Sequence, residues 1–175
     1  MVLEDYIKIF EFEDDLYSEC LKLKHNLIPS LTGNGLTTHR TCSEFYLHPG
    51  NEEHTDQELY KRIEKIVFDA VEKYKKDIPD AGKSIHGSHS GFHILRYQQS
   101  QEFDTHIDDF ANAFRRISIT LNLNDCYEGG DFVINNKTFK LKRNQILIFP
   151  SNFVFPHKVT PVSSGERWSI VTWII

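Results

Sequence analysis

Two short stretches carry the residue types and spacing that can hold a transition metal. FDTHIDD, residues 103–109, contains His106 and Asp108 two positions apart, and FPHKV, residues 155–159, contains His157. At the end of a strand, residues two apart point to the same side, because side chains alternate with period two. His157 would then complete one face of an octahedron. Two histidines and one carboxylate bind Fe(II) and leave adjacent positions open. Open positions suit oxygen chemistry, since a chelating cosubstrate and dioxygen can occupy them. An H-x-D pair alone is a weak signal, however. A surface loop at 103–109 and an ordinary turn histidine at 157 would also account for it.

The residues after His157 shift the balance. HKVTPVSSGERWSIVTWI places Arg167 and Ser169 two apart on an expected final strand, hence on one face. Arginine presents a planar fork of donors that matches a carboxylate at two points, and Ser169 adds a hydroxyl beside it. A carboxylate-bearing cosubstrate chelated to iron at one end and held by Arg167 at the other would explain both groups. Taken singly, Arg167 could equally be a surface ion pair.

The elements that must position these residues fall into two halves. Residues 1–83 are expected to form a helical support with a loop, and residues 84–175 a strand-rich core, within one domain. YIKIFEF, residues 6–12, alternates apolar and polar residues and predicts a short strand. Asp14 and Asp15 could cap a helix running to about Lys24. Residues 30–54 show little periodicity and are expected to be a long, partly mobile loop facing the substrate, as is the stretch Gly82 to Gly91. The clearest helix follows. Thr55 and Glu58 form an S/T-x-x-E capping box, and Leu59, Ile63, Ile66, Val67, Ala70, Val71 and Tyr74 define one apolar face, ended by Pro79 to Gly82. Lys61, Arg62, Glu64 and Lys65 fall on the other, solvated side.

From Ser84 onward, GFHILRY, ISITLNL, DFVI, KTFKL, QILIF, HKVTPV and WSIVTWII are short, β-branched or aromatic, and separated by turn residues. Asn135-Asn136 suits a two-residue hairpin turn. The pattern predicts a mainly β fold, a jelly roll or sandwich, with the long helix packed on one sheet. KTFKLKR alternates charge with apolar residues, as an edge strand guarded by lysine does.

Composition bounds the function. A chain of 175 residues with 39% hydrophobic and 13% aromatic residues can bury one core. The net charge of −5, with no basic tail, argues against a sequence-independent nucleic-acid binder. Three scattered cysteines without a CxxC argue against a disulfide framework. An acidic N-terminus and the lack of a long apolar run point to a cytoplasmic protein that does not engage a membrane.

The second half, from about Gly91 to Ile175, resembles the prolyl 4-hydroxylase-like branch of the 2-oxoglutarate/Fe(II) oxygenases. The motifs occur in order: RYQQSQEFDTHID, RRISITLNLNDCYEGGDFVI, and QILIFPSNFVFPHKVTPVSSGERWSIVTWI with its distal histidine and the arginine beyond it. The resemblance implies a double-stranded β-helix with the site in the barrel mouth. It implies Fe(II) held by His106, Asp108 and His157, with 2-oxoglutarate and O2 as cosubstrates and ascorbate as a supporting reductant. It also implies that Tyr97, Arg167 and Ser169 bind 2-oxoglutarate. Asn122, on the polar side of ISITLNL with Ser118 and Thr120, is expected to look into the same pocket.

The implied reaction hydroxylates a C–H bond while 2-oxoglutarate becomes succinate and CO2. Asp108 favours hydroxylation, since related halogenating enzymes lack that carboxylate. Resemblance points to peptidyl proline as substrate; a free amino acid or small metabolite is the alternative, and a non-catalytic binding or sensor module is the rival from another class. Ser100 and Asn144 stand where the family commonly has glycine. The His86, His89 and His93 cluster fits no tetrahedral zinc spacing, and a polar loop and strand near the cleft is the expectation there.

Overall fold

The computed structural model describes residues 2–30, 39–48, 56–109 and 114–175. In the first half the chain forms β1 (Lys8–Glu11), α1 (Tyr17–Lys22), β2 (Ile28–Pro29), β3 (Ser43–Leu47), α2 (Gln57–Asp77) and α3 (Pro79–Gly82). The second half adds β4 (Phe92–Tyr97), β5 (Phe103–His106), β6 (Ile117–Asn122), β7 (Tyr127–Gly129), β8 (Phe132–Ile134) and β9 (Lys137–Phe139). It closes with β10 (Gln145–Pro150), β11 (His157–Val159), β12 (Val162–Gly165) and β13 (Arg167–Ile174). A seven-stranded sheet in the order β1-β10-β6-β13-β4-β3-β2 faces a four-stranded sheet, β5-β11-β8-β9, and β12 pairs with β7. This is the expected jelly roll, with β9 at an edge.

Each central strand of the larger sheet serves two cores at once. In β6 all six residues are buried. Ile117, Ile119 and Leu121 join Leu59, Ile63, Val67, Val71 and Tyr74 of α2 in one cluster on the outer face. Each such side chain, fully buried, is worth about 1.5–3 kcal/mol, so α2 is fastened by its apolar stripe. Leu95, Tyr97, Leu147 and Phe149 point the other way and meet Phe132, Ile134 and Val159 of the smaller sheet. The period-two alternation therefore decides which residues can reach the space between the sheets.

Several expectations change in the structure. The first half is not only helical: β1, β2 and β3 all join the larger sheet. β3 lies inside the expected loop 30–54, and its five residues pair in register with β4, from Ser43↔Arg96 to Leu47↔Phe92. A strand held by a distant partner needs little local periodicity. The start of α2 is capped by Asp56, whose Oδ1 accepts from the Leu59 N–H at 3.0 Å; Thr55 of the expected capping box lies outside the described residues. The first helix ends at Lys22 rather than Lys24. Asp15 accepts from the Tyr17 N–H at 3.1 Å, while Asp14 instead takes Arg62 of α2 through its Nε at 2.8 Å. The turn between β8 and β9 holds Asn135 and Asn136 at φ 49° and 64°, as a type I′ hairpin requires.

Candidate metal centre

Strand pairing assembles the site. In the antiparallel β11–β5 pair His157 lies directly opposite His106, so two residues far apart in sequence become neighbours. Just beyond β5, the N–H groups of Asp108 and Asp109 donate to the Ser151 carbonyl at 3.2 and 3.1 Å, which ties the loop to the end of β10. One ligand atom from each of His106, Asp108 and His157 lies within 4.8 Å of the others.

Both histidines are oriented by a backbone carbonyl. Nδ1 of His106 is 2.7 Å from the Asp104 carbonyl, and Nδ1 of His157 is 3.1 Å from the Phe155 carbonyl. A carbonyl only accepts, so each Nδ1 donates to it and each Nε2 is the nitrogen turned toward Asp108. The two Nε2 atoms face Asp108, at 3.6 Å from Oδ1 and 3.2 Å from Oδ2. Phe103 stacks on His106 at 3.6 Å and Phe132 on His157 at 5.4 Å, locking both rings.

The electrostatics suit metal ligation. Burial pushes the His106 imidazole down to about 4, and the neighbouring His157 adds to this, so the ring is neutral. Burial alone would raise the Asp108 carboxyl, but the bonds and charges of His157, His106 and Ser118 hold it well below the usual carboxylate range. Ser118 Oγ donates to Asp108 Oδ2 at 2.6 Å and lies 2.8 Å from Ser151 Oγ. Two imidazoles and a carboxylate form a donor set that fits Fe(II).

The triad opens into a cavity whose walls include Tyr97, Thr120, Phe149, Val159, Arg167 and Trp173, with about 480 Å³ of unfilled space, solvent at its mouth included. Arg167 is 2% exposed. Its Nη1 donates to Ser169 Oγ at 3.1 Å, its guanidinium lies 5.4 Å from the Tyr97 ring centre, and its Nη2 has no protein partner. Burial, and the Cys42 thiol beside it, push the Tyr97 hydroxyl well above its usual range, so it remains a donor.

Of the residues singled out in the sequence, His106, Asp108, His157, Tyr97 and Arg167 line this one cavity, and Ser169 is bonded to Arg167. Asn122 does not. Its Nδ2 donates to the Asn124 and Leu141 carbonyls at 2.6 and 3.1 Å, and its Oδ1 accepts from Tyr127 at 3.0 Å. It stands at the far end of β6, where the turn back from the strand uses up its amide. Thr120, two residues earlier, does reach the cavity, with a hydroxyl that has no protein partner. Sequence reasoning missed Arg40, Phe103, Arg115 and Ser151. Arg115 Nη1 lies 3.9 Å from Asp108 Oδ1, and its guanidinium stacks 3.6 Å from Trp173. The upstream histidines stay apart: His89 Nε2 meets Glu64 at 3.0 Å, His93 meets Glu44 at 3.4 Å, and His86 meets the Lys83 carbonyl.

Residues 92–175 match the sequence profile of the 2OG-Fe(II) oxygenase superfamily. A PKHD-type hydroxylase of Idiomarina loihiensis is 37% identical over 89 residues, covering 46% of this chain and 40% of the relative. One from Synechococcus is 38% identical over 91 residues, covering 47% and 40%. The chain thus spans about two fifths of the length of the curated relatives it matches. A Pseudomonas putida prolyl-4-hydroxylase superposes with a TM-score of 0.77 at 17% identity, over 97% of this chain and 92% of that one. A prolyl hydroxylase from Trichoplax adhaerens, solved with a hypoxia inducible factor peptide, gives 0.70 at 16% identity, over 97% and 83%. The viral collagen prolyl hydroxylase of Paramecium Bursaria Chlorella virus-1, in its 2OG complex, gives 0.69 at 21% identity, over 96% and 94%. At these identities the superpositions establish the fold, while the profile match covers every residue of the triad and the buried arginine. Residues 92–175 thus resemble the 2OG-Fe(II) oxygenase superfamily in sequence, and the chain shares the jelly-roll fold of the prolyl hydroxylase structures.

Proposed function

We propose that this protein is an Fe(II)- and 2-oxoglutarate-dependent dioxygenase that hydroxylates a substrate C–H bond. The observation that carries the reading is the Arg167 guanidinium, buried, unpartnered at Nη2, and turned into the same cavity as the His106–Asp108–His157 triad. A buried cation with a free donor is costly unless an anion meets it. A dicarboxylate reaching from the metal to Arg167 would meet it. When bound, iron and 2-oxoglutarate supply the oxidation: dioxygen gives one atom to the substrate C–H and one to succinate, with release of CO2.

The chain's own residues would hold and orient these groups. His106, Asp108 and His157 are the proposed ligands. Arg167, Ser169 and the Tyr97 hydroxyl would grip the distal carboxylate, and Thr120 Oγ1 is a further free hydroxyl on that wall. Leu95, Phe132, Phe149, Val159 and Val171 line the remainder and exclude water. Ascorbate would act only as an external reductant.

The favoured substrate is a peptidyl proline, hydroxylated as by a prolyl 4-hydroxylase. The support is the likeness in fold to prolyl hydroxylases, one of them solved with a peptide. No helix among the described residues is long and apolar enough to cross a membrane.

The test is succinate formation from 2-oxoglutarate under air with added Fe(II), with and without proline-containing peptides. Succinate should form with the native chain and vanish in His106→Ala. Arg167→Lys keeps the charge but loses the fork, so the KM for 2-oxoglutarate should rise about tenfold or more. Absence of succinate from folded, iron-loaded protein across a broad substrate panel would instead favour a binding module on the same barrel.

A further inference from the structure

A second guanidinium, the largely buried Arg40, lines the same cavity, and the residues proposed to hold 2-oxoglutarate do not include it. We propose that Arg40 is a substrate-binding, specificity-determining residue, and that it takes a carboxylate which the substrate carries close to its reacting carbon. This inference rests on the oxygenase reading above and narrows its substrate class.

Three observations support it. The first is that Arg40 is held in place. It forms an antiparallel bridge with Phe103, and its neighbours complete the ladder: the Thr41 N–H donates to the Glu102 carbonyl at 3.1 Å and the Asp104 N–H to the His39 carbonyl at 2.8 Å. The second is its position. Its guanidinium lies 5.0 Å from the Phe103 ring centre, and that ring is stacked on the metal-ligand candidate His106 at 3.6 Å. Arg40 is thus one aromatic ring removed from the reacting centre, and it lines the same cavity.

The third is incomplete pairing. The Arg40 side chain is 9% exposed, and Nη2 reaches Glu44 Oε2 at 3.5 Å, an oxygen that His93 Nδ1 also approaches at 3.4 Å. Nε is buried with no partner. The Cys42 thiol also bonds the side chain, but neither contact is the two-point fork that makes arginine effective against carboxylates.

The experiment uses probe pairs that differ in one carboxylate: L-proline against L-prolinamide, and capped short peptides in which a central proline is flanked by Glu or by Gln. Dissociation constants are measured anaerobically by calorimetry on the full chain loaded with Mn(II) and 2-oxoglutarate, and succinate release is followed in air with Fe(II). At least one pair should favour the carboxylate member by about tenfold or more. Arg40→Gln should bring that ratio close to one, and Arg40→Lys should keep part of it. Because Arg40→Gln leaves Glu44 without its cation, the ratio is read again in Arg40→Gln/Glu44→Gln, which buries neither charge. A preference in the first pair identifies a free amino acid; one in the second identifies an acidic peptide. If the native chain binds 2-oxoglutarate but no pair shows a preference, or the preference survives Arg40→Gln, the role of Arg40 is refuted and the oxygenase reading stands. If Mn(II)-loaded native protein does not bind 2-oxoglutarate, both fall.

Discussion

At Asp108 a single carboxylate accepts the Ser118 hydroxyl at 2.6 Å while facing the Nε2 atoms of both histidines. Such outer contacts set the angle of a metal-binding oxygen and commonly weigh about 10- to 100-fold in metal affinity. Ser118→Ala should therefore weaken Mn(II) binding by about tenfold while leaving the fold intact, with affinity read by calorimetry. Unchanged affinity would mean that the loop's bonds to Ser151 suffice to aim Asp108. Much of this site was legible in the sequence, because Arg167-x-Ser169 is a two-residue pattern whose geometry follows from strand alternation, and His106 ends a strand; Asp108 lies just beyond that strand and is aimed by the bonds to Ser151. Ser118 and Thr120 were visible as the polar alternates of an apolar strand. The same rule misled at Asn122, where alternation gives the correct face but not the turn that consumes its amide. Arg40 and Arg115 had no local signal, since only the fold brings Arg40 to the cavity and Arg115 beside Asp108.

Among the elements, the turns and hairpins shape the site as much as the strands do. Gly130 adopts φ +60°, and a Cβ there would lie 3.0 Å from Arg167 Cδ and 3.0 Å from Val162 Cγ2. The Gly129-Gly130-Asp131 turn between β7 and β8 thus clears the space in which the arginine stem lies. Gly130→Ala should displace Arg167 and weaken 2-oxoglutarate binding by about tenfold, an effect comparable to losing a charged hydrogen bond. Calorimetry with the Mn(II)-loaded protein checks this, and native affinity in the variant would show that the stem can shift without consequence. The departures from glycine at Ser100 and Asn144 have a backbone meaning too, for both sit at positive φ, 68° and 61°. Ser100→Gly keeps the N–H that donates to the Val162 carbonyl at 2.8 Å and relieves the left-handed strain. It should stabilise the protein by about 0.5–1 kcal/mol, a rise of a few degrees in Tm; a lower Tm would show that chain flexibility outweighs the relief. α2 was read from its own periodicity, whereas β3 was hidden because its pairing is set by a partner far along the chain.

Across the whole molecule, the N-terminal segments are fastened to the jelly roll by charged pairs as well as by the core under α2. Arg62 of α2 holds Asp14, Arg143 holds Asp15 at 2.8 Å, and Arg96 of β4 holds Glu166 at the start of β13. These contacts lower the acids from their ordinary values of 3.8, 3.8 and 4.5, chiefly through hydrogen bonds from Arg62, Arg143 and Arg96 respectively. An acid whose folded pKa lies below its unfolded value stabilises the fold fully above the unfolded value. That stabilisation drains away as the pH falls through the folded one. All three pairs are partly open to solvent, so salt screens them and each is modest. The Tm should accordingly decline below about pH 6.5, where the unfolded chain gains a proton that the buried His106 does not, and fall further below about pH 4 as the three acids protonate, this second fall being shallower at high salt. Asp14→Asn removes one titrating partner. It should lower the Tm near neutral pH and flatten the acid limb, so that variant and native curves converge as the pH drops. Parallel curves in a Tm–pH series would show that Asp14 and Arg62 contribute packing rather than charge.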